Sequence, residues 1–391
     1  MLLFLLLLLV AGIALSLPAV QTRIAKELMT KINTSYGTSI EIDEVAISVF
    51  GGVKLKKVLI KDHHKDTLIY ANRIKTNLIG IKKVIDGDLI FNSIHLDGLL
   101  FHLKTYKKEK LTNLDVFIEA FETGKPSTKP FLMTVREAFI SNGHFLLIDE
   151  NRRDPKDVDF TRLNAQISNF QILGPEVETN INQLSFKDHR GVFLKKLTAK
   201  FSYNKKRIRL KNLELATSES KLKGDVQLNY KIEDFADFNN KVKFDIKLKS
   251  SVIASNDIRC FYDELGKNLF FNARSRIEGT LNNLKLTDLV LFDRKGSKII
   301  GSINFKNLFP SKSQEFYMNG KFRSLTTTYD DLVTILPNVL GESLPEILKK
   351  IGKVDLVGST ELTTKNIQAD FSMKTDLGNV TSDLVILNMN Q

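Results

Sequence analysis

The chain has 391 residues, 42% of them apolar, a length that ordinarily predicts two or three compact domains and a composition that excludes a disordered polymer. Lys and Arg exceed Asp and Glu by 57 to 45, a net charge of +12, but the cations are spread along alternating segments. That is the distribution of a solvated sheet face, and with no cluster of aromatic and basic residues it excludes a nucleic-acid binder. A single cysteine, Cys260, excludes an internal disulfide framework.

Met1 to Leu17 is almost purely apolar. As a helix rising ~1.5 Å per residue it would span roughly 26 Å, enough to cross a bilayer core. Pro18 ends it. Ala14-Leu15-Ser16 offers a processing site for a signal peptide, but the run is long for a signal core, no positive segment precedes it, and only Pro18 separates it from the next helix. An uncleaved anchor is the better reading. Arg23, Lys26 and Lys31 follow the span, which by the positive-inside rule would keep the bulk cytoplasmic; long domains translocate largely regardless of such charge, and the abrupt start in leucines reads as a chain lacking its basic leader.

Val20, Ile24, Leu28 and Ile32 recur at every fourth position, predicting an amphipathic helix that Gly37 stops. Ile40 and Ile42, then Val45, Ile47 and Val49, then Val53 and Leu55 alternate with polar residues, the period of strands buried on one face. Short antiparallel strands follow to Leu103. Leu78, Ile79, Ile81, Val84 and Ile85 fall at helical spacing among them. Leu111 to Phe121 reads as a helix with Asn113 as its cap, and Gly124 to Pro130 as the main internal boundary. Strands resume at Thr134. The cleanest sets Val242, Phe244, Ile246 and Leu248 against Lys241, Lys243, Asp245, Lys247 and Lys249: one dry face and one wet. Leu210, Leu213 and Leu215 followed by Gly224, Val226 and Leu228 are echoed by Leu286, Leu289 and Leu291 followed by Gly301, Ile303 and Phe305. Alternation fails around Phe235 to Phe238 and Ile258 to Leu265, where loops or short helices are expected. Tyr329 to Ile351 turns helical, split by Pro337 and Pro345. Strands then run from Val354 to the apolar segment Asp383 to Leu387, a naked apolar edge that predicts that the chain is a fragment or ends in disorder and that further strands normally follow.

Leu17-Pro18-Ala19-Val20-Gln21, the helix to Ile32, then Gly37 to Ile42 and Val45 to Ser48 resemble the N-terminus of the AsmA-like superfamily. Leu344 to Leu348, followed by Gly352 and Val357-Gly358, is similar to the TamB-like branch of Bacteroidetes-type bacteria. The resemblance implies a mainly β protein: a transmembrane helix over 1–18, an amphipathic helix over 19–36, then an elongated, curled antiparallel sheet forming an open β-groove. The groove falls into segments 37–123 and 131–328, with a helical insert and further strands over 329–391. It implies an inner-membrane anchor with the bulk in the periplasm, and no enzyme or cofactor. The function implied is transport of phospholipid between inner and outer membranes in outer-membrane biogenesis. The alternative is a translocation and assembly scaffold working with a BamA-like barrel partner, engaged through a C-terminal region without counterpart here. Taken alone, the dry-face residues read as core packing. The resemblance makes Ile40, Ile42, Val45, Ile47, Val226, Leu228, Val242, Phe244, Ile246, Leu248, Ile303 and Phe305 the lining against which acyl chains lie.

Conventional chemistry is sparse. No HExxH, P-loop or Gly-x-Ser-x-Gly motif is present. Of the six histidines, His63-His64 between Asp62 and Asp66 hints at a metal site, but adjacent strand residues face opposite ways and a hydrophilic turn is the expected explanation. Asp149, Glu150, Asp154, Asp157 and Asp159 with Arg152 and Arg153 read as a solvated loop, with calcium the alternative. Cys260 beside Arg259 reads as a buried or idle thiol.

Overall fold

The computed structural model describes residues 17–48, 52–78, 88–121, 130–152, 156–309, 315–337, 344 and 346–386. The protein is mainly β, with 63% of the described residues in strands and one open sheet of 18 strands. It divides into two compact units, Met1–Leu197 and Thr198–Gln391. The expected anchor up to Ser16, the apolar cluster from Ile79 to Ile85 and the connection Gly124 to Lys129 lie outside the described residues. Among those described, no helix is long and apolar enough to cross a membrane.

The first unit opens with helix α1 (Pro18–Tyr36), whose Pro18 sits at the first turn where a missing N–H costs nothing, and whose terminal Gly37 takes φ 65°. Strands β1 (Ser39–Ile47), β2 (Gly52–Lys61), β3 (Thr67–Leu78) and β4 (Asp88–Thr105) pair in sequence, antiparallel. The expectation of an antiparallel sheet throughout then fails. β4 and β5 (Leu132–Asp149) run parallel, in register from Asp88↔Leu132 to Thr105↔Asp149. A parallel pair requires a crossover connection, and the described part of the chain between β4 and β5 carries the short helix α2 (Asn113–Glu119). The strands on either side of the boundary read at Gly124 to Pro130 are therefore hydrogen-bonded neighbours. β6 (Lys156–Leu173) and β7 (Glu176–Asp188) continue antiparallel.

α1 is held by an unexpected face. Its apolar stripe is not buried on the sheet: Ile24 and Leu28 are 44% and 51% exposed, and Val20 and Ile32 are only half-buried. The contact is polar instead. Asn33 Nδ2 donates to Ile40 O and its Oδ1 accepts from Ile40 N, both at 2.9 Å. Gln21 makes the same two-way pair with Ile47, at 3.0 and 2.6 Å, and the Thr22 hydroxyl exchanges bonds with Val45 N and O. Three side chains thus satisfy the outward backbone groups of β1, the groups an edge strand otherwise offers to another chain.

Strand β8 (Phe193–Asn204) carries the chain from the first unit into the second. There β9 (Arg207–Ala216), β10 (Lys221–Asn229), β11 (Lys243–Ala254), β12 (Phe270–Gly279), β13 (Leu284–Asp293) and β14 (Lys298–Lys306) pair antiparallel in sequence. β15 (Tyr317–Thr328), β16 (Lys353–Thr363), β17 (Ile367–Thr375) and β18 (Gly378–Ile386) extend the ladder. The failures of alternation are short helices, as expected: a 3₁₀ turn at Ile232–Asp237, α3 (Phe238–Lys241) and α4 (Ser255–Arg259). The late helical segment resolves into α5 (Tyr329–Ile335) and a 3₁₀ turn at Glu346–Ile351.

One local device recurs in both units. A strict two-residue period sends residues three apart to opposite faces. Yet Leu55/Val58, Leu96/Leu99, Leu210/Leu213 and Leu286/Leu289 are all three apart, and in each step the residue before the second apolar position has left-handed backbone: Lys57 at φ 48°, Gly98 at 63°, Asn212 at 52° and Asp288 at 50°. A single left-handed residue absorbs the extra unit as a bulge and returns the next side chain to the first face. Val58, Leu213 and Leu289 accordingly sit at 8%, 8% and 3% exposure. In the first unit the slips align across strands, Ile42↔Val58↔Ala71↔Leu99 on one side and Val45↔Leu55↔Ile74↔Leu96↔Ile140 on the other.

Candidate functional site

In the second unit the register assembles a continuous apolar row, Leu210↔Val226↔Ile246↔Ile277↔Leu286↔Ile303, across six strands from β9 to β14. A parallel row runs Ile208↔Leu228↔Phe244, and Leu248 continues the face through its pairing with Gly224. Phe305 pairs Met318 of β15. No member of the six-strand row is fully buried; each keeps part of its surface accessible. A residue on the inner side of a closed sandwich would be enclosed by the facing sheet, so this face is only partly covered.

The reverse face is charged. Lys243, Asp245, Lys247 and Lys249 alternate with the apolar residues of β11, and the pairs Lys249–Asp225 at 3.5 Å, Arg276–Asp245 at 3.5 Å and Lys223–Glu214 at 3.1 Å cross between strands. Such exposed pairs add little stability; they keep this face wet. Asp225 has a second role. The Asn212 N–H, turned out of the ladder at the bulge, donates to Asp225 Oδ1 at 2.8 Å, and this bond holds the carboxyl below its ordinary range, aided by Lys249.

The sequence echo is structural. Leu213↔Gly224 and Leu210↔Val226 correspond to Leu289↔Gly301 and Leu286↔Ile303. Both glycines are required by close approach: a Cβ on Gly224 would lie 2.3 Å from Lys247 O, and one on Gly301 would lie 2.1 Å from Lys321 O. The same hairpin, with the same left-handed polar residue and the same backbone contact, occurs twice on this face.

Of the expected lining, Val226, Leu228, Phe244, Ile246, Leu248, Ile303 and Phe305 are strand residues of this unit. Val242 departs from it. It precedes β11, donates its N–H to Phe238 O, and is 0% exposed, so it offers no surface to a ligand. Ile40, Ile42, Val45 and Ile47 lie on β1 in the other unit, beneath and beside α1. Val45 is buried, Ile47 is half exposed, and clefts flank the helix, one lined by Gln21, Ile47 and Val53, the other by Met29, Ile40, Ile42 and Tyr70. Ile277, central to the apolar row, was not singled out in the sequence because Arg274, Arg276 and Glu278 surround it and mask the alternation.

Asp149, Glu150 and Asp159 of the acidic stretch are separately paired, while Arg153 and Asp154 lie outside the described residues. Asp149 pairs with Arg152 at 3.1 Å, Glu150 with Lys104 at 3.0 Å, and Asp159 with His144 at 2.8 Å. Cys260 Sγ donates to Asp257 O. His63 and His64, in contrast, do not face opposite ways: both rings converge on Glu109.

No family model, curated protein or solved structure matches this chain.

Proposed function

We propose that the chain is a lipid conduit, in which phospholipid acyl chains lie against the apolar rows of the open sheet while the headgroups stay at the wet margin. The observation that carries this reading is the six-strand row from Leu210 to Ile303, apolar throughout and only partly covered. Each methylene withdrawn from water contributes about 0.8 kcal/mol, so a face of this width offsets much of what leaving a bilayer costs an acyl chain. No covalent step is needed. The AsmA-like resemblance supplies the setting: an inner-membrane anchor in the run before Pro18, the sheet in the periplasm, and transfer between the inner and outer membranes. The exposed apolar stripe of α1, Leu17, Ile24 and Leu28, continues that run and suits a membrane interface.

The competing reading, a scaffold that accepts incoming strands by edge addition, is disfavoured at β1, whose outward groups are already taken by Gln21, Thr22 and Asn33.

The test is mass spectrometry of lipid retained by the detergent-purified chain, beside Phe244→Glu on the apolar face and Lys247→Glu on the charged face. Losing one large apolar contact, ~1.5–3 kcal/mol, lowers retention by about 10–100-fold in the first variant, with little change in the second. Equal retention by both variants would refute an acyl-binding face. Peptide cross-links at strand edges, with no lipid adduct, would place the scaffold reading ahead.

A further inference from the structure

We propose that His63, His64 and Glu109 form a zinc-class metal site joining the β2–β3 turn to the turn before α2. The His63 Nε2 lies 2.9 Å from Glu109 Oε2 and the His64 Nε2 lies 2.7 Å from Glu109 Oε1. One donor atom from each of the three residues falls within 4.8 Å of the others. Donors around a tetrahedral Zn²⁺, at about 2.0–2.2 Å from the ion, are roughly 3.4 Å apart, so an ion enters by spreading the two hydrogen bonds by about 0.5 Å (3.4 − 2.9) and about 0.7 Å (3.4 − 2.7). Two imidazoles and a carboxylate are a ligand set that zinc accepts with a fourth position left for water. In the ion-free site each Nε2–H donates to Glu109; on binding that proton leaves Nε2, each ring is held as the neutral tautomer with its proton at Nδ1, and the Nε2 lone pair turns to the metal.

Adjacent histidines can converge because they lie in a turn and not in a strand. Asp62 shapes that turn: its N–H donates to Asp66 O, and its Oδ1 accepts from the N–H groups of His64 and Asp66, both at 3.0 Å. The partner turn is built with equal care. Asn151 Nδ2 donates to Tyr106 O and Glu109 O, while its Oδ1 accepts from Lys108 N at 2.7 Å.

The two turns share a buried floor. Tyr106 O–H lies 2.8 Å from Asp62 Oδ2 and from Asp66 Oδ2. Asn113, fully buried, donates from Nδ2 to Asp62 Oδ2 and His102 O, and accepts from Lys104 N. Asn113 is therefore not the helix cap expected of it; Thr112 caps α2, in a reciprocal pair with Asp115, and Asn113 is released to bridge the turns. The Tyr106 ring packs on His64 with centroids 3.8 Å apart and edge-on to His63 at 5.5 Å. Lys104, a cation of this network, is engaged by Asp66 and Glu150. Rings and carboxylate are thus held before any ion arrives, the preorganisation a metal site needs.

Calorimetric titration of the full chain, purified without a histidine tag, with Zn²⁺ is expected to give one equivalent bound, and Co²⁺ a visible absorption band of a four-coordinate ion. His63→Ala/His64→Ala and Glu109→Gln are each expected to weaken Zn²⁺ binding more than tenfold, and Tyr106→Phe by roughly 10–100-fold through lost orientation. Glu109→Gln preserves the size of the side chain and its hydrogen-bonding oxygen, so it reports on ligation even where the double variant fails to fold. Absence of Zn²⁺ binding by the wild-type chain, or equal affinity in Glu109→Gln, would overturn the assignment.

Discussion

Gly224→Ala and Gly301→Ala form a matched pair, because both glycines hold the same place in the two copies of the repeated hairpin. An added Cβ meets a carbonyl oxygen of the next strand at 2.3 Å in one case and 2.1 Å in the other, where real contacts do not fall below 3.0 Å. The strands must therefore separate by at least about 0.7 Å (3.0 − 2.3) and 0.9 Å (3.0 − 2.1). That stretch breaks one or two ladder hydrogen bonds, each contributing about 1 kcal/mol net and more if a partner is left enclosed. Against it stands a gain of about 0.4–1 kcal/mol from the reduced freedom of the unfolded chain. The balance is a loss of up to about 1.6 kcal/mol for each variant, rising to about 1–3 kcal/mol where a ladder partner is left enclosed, the larger at Gly301. Urea unfolding followed by far-UV circular dichroism reads this as a fall in midpoint at constant slope. A stability unchanged within about 0.5 kcal/mol in both variants would refute the close-approach argument and, with it, the structural equivalence of the two hairpins.

The α1 side chains give a second test: Gln21→Ala with Asn33→Ala should cost about 1–2 kcal/mol and raise self-association, seen by sedimentation velocity, because the outward groups of Ile40 and Ile47 become available to a second chain. A third concerns acid. His102 has an enclosed Nε2 with no hydrogen-bond partner among the described residues; burial first, and the nearby His144 second, hold its pKa below the ordinary value. The unfolded chain then binds more protons than the folded one just below about pH 6.5, so stability rises with pH through that window and falls on acidification, by at most ~1.4 kcal/mol per pH unit. Thermal melts of wild type and His102→Gln between pH 5 and 7.5 should differ in slope by this proton; identical slopes would remove His102 from the account.

The sequence made the alternation of β11, the start and stop of α1 and the echoed hairpins legible, because each is written in local spacing. What it hid was non-local. The gap between Leu96 and Leu99 reads as one alternation ending and another beginning; the structure keeps a single strand and absorbs the extra residue in the left-handed backbone of Gly98. The strand pattern of β4 and β5 carries no mark of their relative direction, so the parallel pair went unread. The apolar positions of α1 were visible, but not that Gln21, Thr22 and Asn33 would dock it. His63 and His64 lie in the hydrophilic turn expected of them; what the sequence hid is that the Asp62 side chain shapes that turn and that both rings meet Glu109, some 45 residues away.

The parallel pairing of β4 with β5 also orders the events of folding. Leu96 meets Ile140, a separation of 44 residues (140 − 96), whereas the β2–β3 hairpin closes from Lys61 to Thr67, a separation of 6. Loop-closure entropy scaling as (3/2)RT ln n puts the longer closure about 1.8 kcal/mol behind, roughly a twentyfold handicap in encounter frequency. Hairpins on either flank can therefore zip while β4 and β5 are still apart, and the crossover is the late seam of this unit. Pulse-labelled hydrogen exchange during refolding should show β2–β3 amides protected before those that bridge β4 and β5.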